Sequence, residues 1–112
     1  PMQKIVLNQL RPEPDRDSYG VTEARGILDR IYAWLDERLN GRTWIAGDTF
    51  TLVDCAAAPS LFYADWVHQI PPTHANLRAY RVRLLAHPSV ARAVDEARPY
   101  RRYFPLGAPD RD

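Results

Sequence analysis

TLVDCAAAPSLFYADWVHQ, residues 51–69, decides the fold. Thr51 stands three residues ahead of Asp54, so hydroxyl and carboxylate can each satisfy the other's exposed backbone N–H. That is an aspartate form of the capping box, and it opens a helix. The helix that follows is apolar on nearly every side, which marks a core helix. Alanines and a serine keep it thin, so neighbours can approach closely. Pro59 lies inside it and removes one backbone hydrogen bond, which implies a bend that packing accommodates. Pro71 and Pro72 end it.

Working outward toward the N-terminus, residues 42–50 read as a loop anchored by Trp44 and Ile45, with a turn at Gly47-Asp48. Before it, Ala24, Leu28, Ile31, Leu35 and Leu39 make one stripe at the helical period. This predicts a helix to about Asn40, with Arg25, Asp29, Asp36 and Arg38 on the wet side and Gly41 as its left-handed stop. Residues 11–20, RPEPDRDSYG, are a break, after which Ser18 or Thr22 supplies the cap. Residues 1–10 carry Ile5, Val6 and Leu10 with no cap ahead of them. They read as a helix entered partway along. With Pro1 in place of an initiator methionine, the expectation is a fragment of something longer.

Toward the C-terminus, a fourth helix is predicted from about Thr73 to Ala86, with Leu77, Tyr80, Leu84 and Leu85 inward. His87-Pro88 breaks it, because the residue before proline disfavours the helical region. Pro88 fits the first turn of a fifth helix whose buried side is Val90, Ala93, Val94 and Ala97. The end of the chain, rich in proline from Pro99 on, should be extended and partly mobile. Period-2 runs of β-branched residues are lacking. The expected fold is therefore all-α, a bundle of about five helices in one domain over residues 1–104, with 105–112 a tail.

Composition narrows function by exclusion. A chain of 112 residues is one domain at most. The net charge of +1 gives no bulk field toward a polyanion, so no nucleic-acid partner is expected. No run of about 20 apolar residues is present, so no membrane span is expected. Cys55 is the single cysteine, and one cysteine makes neither an internal disulfide nor a zinc site. A cytoplasmic setting follows as the default. His68, His74 and His87 lack the i, i+4 spacing of a metal pair, and no metal is expected.

The run WIAGDTFTLVDCAAAPSLFYADW resembles the core of the glutathione transferase C-terminal domain. Members of that family carry an apolar-Gly-Asp loop, here Ala46-Gly47-Asp48, and then a Ser/Thr-x-x-Asp cap, here Thr51 to Asp54. Their next two helices meet at a His/Arg-Pro-x-Val step, here His87-Pro88-Ser89-Val90. The resemblance spans nearly the whole chain. It implies a parent that conjugates glutathione, as co-substrate, to an electrophile. It also implies a thioredoxin-like domain that holds glutathione and the activating residue, and nothing in this chain matches that domain. No catalytic residue and no cofactor is therefore assigned here.

The resemblance puts Tyr63, nine residues after the capping Asp54, in the electrophile pocket, with Trp66 one turn on. Core packing is the alternative for both. Tyr103 and Phe104 can fold back over the same pocket. Asp54 reads as a helix cap rather than a base for Cys55, and Cys55 as a small buried hydrophobe. Arg98, Arg101 and Arg102 read as a solvated chain end. The expected contribution of this domain is an apolar pocket for a hydrophobic small molecule. Its partners would be the thioredoxin-like domain or a second copy in a homodimer. The other reading is a non-catalytic helical interaction module.

Overall fold

The computed structural model describes residues 1–112. Its elements are α1 (Met2–Leu10), a 3-10 turn at Glu13–Asp15, α2 (Ser18–Arg38), α3 (Leu52–Val67), α4 (Ala75–Ala86), α5 (Pro88–Ala97) and a 3-10 segment at Arg98–Tyr103. The only extended pairing is a single bridge between Trp44 and Gly47. The all-α fold with five helices stands as expected. No helix is long and apolar enough to cross a membrane.

The capping box forms at the start of α3. Asp54 accepts the Thr51 backbone N–H at 2.9 Å, and the Thr51 hydroxyl donates to the same oxygen at 3.4 Å. Gly41 has φ +72, the left-handed stop that a side chain would oppose. Pro59 sits within α3 and Pro88 at the start of α5, as read from the sequence.

Several local expectations are corrected. The cap of α2 is Asp17, not Ser18 or Thr22, and its carboxylate accepts the Gly20 N–H at 2.9 Å. Lys4 of α1 pairs with that carboxylate at 2.9 Å. A Cβ on Gly20 would lie 2.2 Å from the Asp17 carboxylate, so a side chain there would push that carboxylate and Lys4 aside. On α2, Tyr32 is fully buried where Ile31 was expected, and Ile31 is exposed. The Tyr32 hydroxyl donates to the His68 carbonyl at 2.7 Å, which makes a buried tyrosine better placed there than an isoleucine. The wet side of α2 is also drier than its sequence suggests. Asp36 accepts the Leu77 N–H at 2.9 Å and so caps α4 from a neighbouring helix. Arg25 donates to the Val67 carbonyl at 2.9 Å and so satisfies the end of α3.

The core is one cluster in which Leu28 and Tyr32 of α2 meet Leu61 and Ala64 of α3 and Leu77 and Tyr80 of α4. Helix α3 is less enclosed than expected. Leu52, Val53, Cys55 and Pro59 are exposed, and most of its buried residues lie from Leu61 onward. The predicted buried side of α5 is open too, with Val90 and Val94 half-buried and Ala93 and Ala97 exposed. Both departures have one cause, since α3 and α5 leave a groove between them. The chain end is not free. Arg98 and Arg101 bind the Asp112 carboxylate, and Arg111 binds Asp65 of α3.

Candidate functional site

Two adjoining cavities lie between α3 and the C-terminal third of the chain. The first, about 330 Å³, is a groove whose α3 wall is Cys55, Ala58 and Pro59 and whose α5 wall is Val90, Ala93 and Val94. Small residues on both helices make it wide rather than filled. The second, about 370 Å³, continues from it past Phe62 and Tyr63 to Trp66, Tyr103 and Phe104. Phe62, Tyr63, Val94 and Ala97 line both, so the two form one trough.

The far end of the trough is aromatic because α3 places residues 62, 63 and 66 on adjoining turns. Phe62 and Trp66 have ring centroids 4.6 Å apart. Tyr63 meets Trp66 edge to face at 5.6 Å. Phe104 lies near-parallel to Tyr63 at 5.9 Å and edge to face with Trp66 at 5.3 Å. The Arg101 guanidinium stands over the Trp66 ring at 5.2 Å, a cation–π contact. The Trp66 indole N–H is buried and has no acceptor. A buried donor without a partner carries its full desolvation penalty, which an acceptor on a bound molecule would relieve.

The structure brings Tyr63, Trp66 and Phe104 into one aromatic group. Tyr103 is exposed on the rim, with Arg102 over its ring at 4.9 Å. Thr51 and Asp54 lie at the other end of α3, away from this group. Asp54 has no exposure to water and accepts from the Tyr80 hydroxyl at 2.6 Å and the Ile45 N–H at 3.1 Å. Burial pushes its carboxyl up, but the Tyr80 hydroxyl and the Thr51 and Ile45 N–H groups outweigh that and hold it below its ordinary value. Burial first, and then the bond to Asp54, raises the Tyr80 hydroxyl. A carboxylate so fully occupied caps a helix and takes no proton from Cys55. Cys55 itself is exposed at the mouth of the groove, which corrects its expected burial.

Two polar groupings were not legible in the sequence. His68 Nε2 lies 2.6 Å from Asp29 Oδ1, and its Nδ1 lies 3.3 Å from an Arg25 nitrogen. An arginine only donates, so Nδ1 accepts and Nε2 carries the proton toward Asp29. The pair ties α2 to the end of α3. Asp65 is buried and accepts the Ile70 N–H at 2.8 Å, with Arg81 3.8 Å away and Arg111 in contact. Partners 39 and 46 residues apart leave no local pattern to find. No group of three or more His, Cys, Asp or Glu side chains that could hold a metal converges anywhere. The trough thus offers shape, aromatic surface and one indole donor, with no acid–base pair.

The family described as "Glutathione S-transferase, C-terminal domain" matches residues 18–83, more than half of the chain. A glutathionyl-hydroquinone reductase from Sphingobium chlorophenolicum is 29% identical over 72 residues, which cover 64% of this chain and 21% of that protein. The matched segment thus spans about a fifth of the relative's length. No solved structure matches the chain.

Proposed function

The chain belongs to the glutathione S-transferase C-terminal domain family, and we propose that its aromatic trough holds the second, hydrophobic substrate of a glutathione-dependent reaction. The observation that carries this reading is the meeting of Tyr63, Trp66 and Phe104 around a cavity of about 370 Å³. A pocket of that size and apolarity suits a small molecule of one or two rings. Its work is binding and orientation, because no nucleophile or general base lies among its aromatic walls. Glutathione, and the residue that activates its thiol, would come from a thioredoxin-like domain. The first turn of α3, where Leu52 and Val53 are exposed, is the face we assign to such a domain. The relative's name supplies a narrower candidate. A hydroquinone ring bearing glutathione is flat and carries oxygen acceptors, and both features fit aromatic walls with a free indole N–H.

Calorimetric titration of this chain with a chlorinated nitrobenzene tests the reading. Binding should be weak but measurable. Tyr63→Ala should weaken it by roughly fivefold to tenfold, in line with an aromatic pair worth about 1 kcal/mol. Equal affinity in Tyr63→Ala, Trp66→Leu and wild type would remove the trough from consideration. With glutathione added, the chain by itself should give no turnover above the uncatalysed rate. Measured turnover, with host transferase excluded, would show that a catalytic residue has been overlooked.

A further inference from the structure

Between the end of α3, the outer face of α4 and the last residues of the chain lies a cavity of about 150 Å³. It shares no lining residue with the aromatic trough. Its charged walls are Asp65, Arg78, Arg81, Arg111 and Asp112, with the Gln69 amide beside them. Arg78 and Arg81 stand three residues apart on α4 and so share a face. Backbone carbonyls anchor both. Arg78 donates to the Ile70 carbonyl at 3.3 Å, and Arg81 to those of Leu61 at 3.3 Å and Phe62 at 3.2 Å. A guanidinium has five N–H groups, so each keeps some to spare.

The charges around this cavity do not balance pair by pair. Arg111 closes on Asp65, and Arg98 and Arg101 take Asp112. Arg78 is in no ion pair. Arg81, whose side chain is only 11% exposed, comes no nearer than 3.8 Å to Asp65. Two guanidiniums therefore line one small cavity with no carboxylate in hydrogen-bond reach of either. Burial chiefly draws the Arg81 guanidinium below its ordinary value; Asp65 opposes this, and the charge of Arg111 adds to it. An anion in the cavity would relieve that repulsion.

We propose that this cavity is a binding site for a phosphate group, held by Arg78, Arg81 and the Gln69 amide. Size limits the occupant first. The smallest ordinary ligand pockets hold roughly 300 Å³, so half that volume suits an ionic group rather than a whole organic molecule. Charge and shape then select within the anions. Two unpaired guanidiniums match the nearly double charge of a phosphate near neutral pH. One fork already fills a flat carboxylate, whereas two forks and an amide suit a group with more oxygens. Asp65 and Asp112 do not stand against it, because their own arginines already neutralise them. The phosphate is either the free ion or the end of a small phosphomonoester whose remainder lies outside the cavity.

A ¹⁵N NMR titration of the whole chain with sodium phosphate, at ionic strength held constant with sodium chloride, tests this. The amides of Gln69 and Ile70 and the Nε–H groups of Arg78 and Arg81 should shift together and saturate, with a dissociation constant of about 1 mM or tighter. Arg78→Met should weaken binding roughly tenfold, as the loss of a charge-assisted hydrogen bond implies. Gln69→Ala changes an exposed side chain and leaves the fold alone. It should weaken binding roughly threefold. Glycerol phosphate separates the two sources. Tighter binding than phosphate identifies the monoester, and weaker binding the free ion. The absence of saturable shifts, the same shifts with sodium chloride by itself, or wild-type affinity in both variants overturns the proposal.

Discussion

Asp54 is a carboxylate without contact with water, and its value lies in what donates to it. Tyr80→Phe removes the shortest of those bonds and should destabilise the chain by about 1–2 kcal/mol in urea unfolding. Asp54→Ala strips the cap and leaves the Tyr80, Thr51 and Ile45 donors unpaired, for a loss of about 3 kcal/mol or more. A loss under about 0.5 kcal/mol would deny the cap its role. The sign of the pH effect follows from the lowered pKa. A carboxyl held below its ordinary value stabilises the fold above the unfolded pKa, near 4, and loses that contribution as pH falls through the folded value. Wild type should therefore weaken below about pH 4, and Asp54→Asn should be flatter over that range. Asp112, drawn down to about 2 chiefly by Arg98 and then Arg101, loosens in the same acid window. Half of this was legible in the sequence. Thr51 and Asp54 are three residues apart, so their pairing is a local matter. Tyr80 lies 26 residues on, and only packing brings it to Asp54.

At the scale of the element, the helices came from periodicity and breakers, and the departures from expectation are where one helix serves another. Asp36 looks like a solvent residue of α2 until α4 docks and takes it as a cap. Asp36→Ala should cost about 1 kcal/mol, and its effect should appear as faster amide exchange in the first turn of α4. Equal exchange there would show that the bond carries nothing. Helix α3 was read as wrapped on all sides because its composition is apolar throughout. Composition does not say which apolar residues find a neighbour, and its first half faces the open groove. Pro59 lies on that exposed half, where no side chain packs over it completely. Pro59→Ala restores an N–H for the carbonyl four residues back and should stabilise the chain by about 1–3 kcal/mol. A destabilised Pro59→Ala would mean that the shape of the helix at this point is set by its neighbours.

Across the whole molecule, the radius of gyration is 14.9 Å, against about 13 Å for a compact domain of this length. Only 16 of 112 residues are buried. Both values agree with an apolar trough left open between α3 and α5. Family likeness put Tyr63 in a pocket, helical spacing put Trp66 one turn on, and a tail folding back offered Tyr103 and Phe104; the fold brings Tyr63, Trp66 and Phe104 together. Nothing in the sequence signalled the Arg98–Asp112 pair, because Arg98 looked like part of a solvated end, or the Asp65–Arg111 contact, because Arg111 lay in a tail expected to be extended and partly mobile. The most direct test is a ¹⁵N NMR titration of this chain with a chlorinated nitrobenzene, following the indole N–H of its three tryptophans. The Trp66 resonance and the amides of residues 62–66 and 104 should shift together and saturate, while Trp34 and Trp44 stay in place. Shifts centred on Trp34 or Trp44, or none at saturating concentration, would contradict the assignment of the aromatic trough as the binding site.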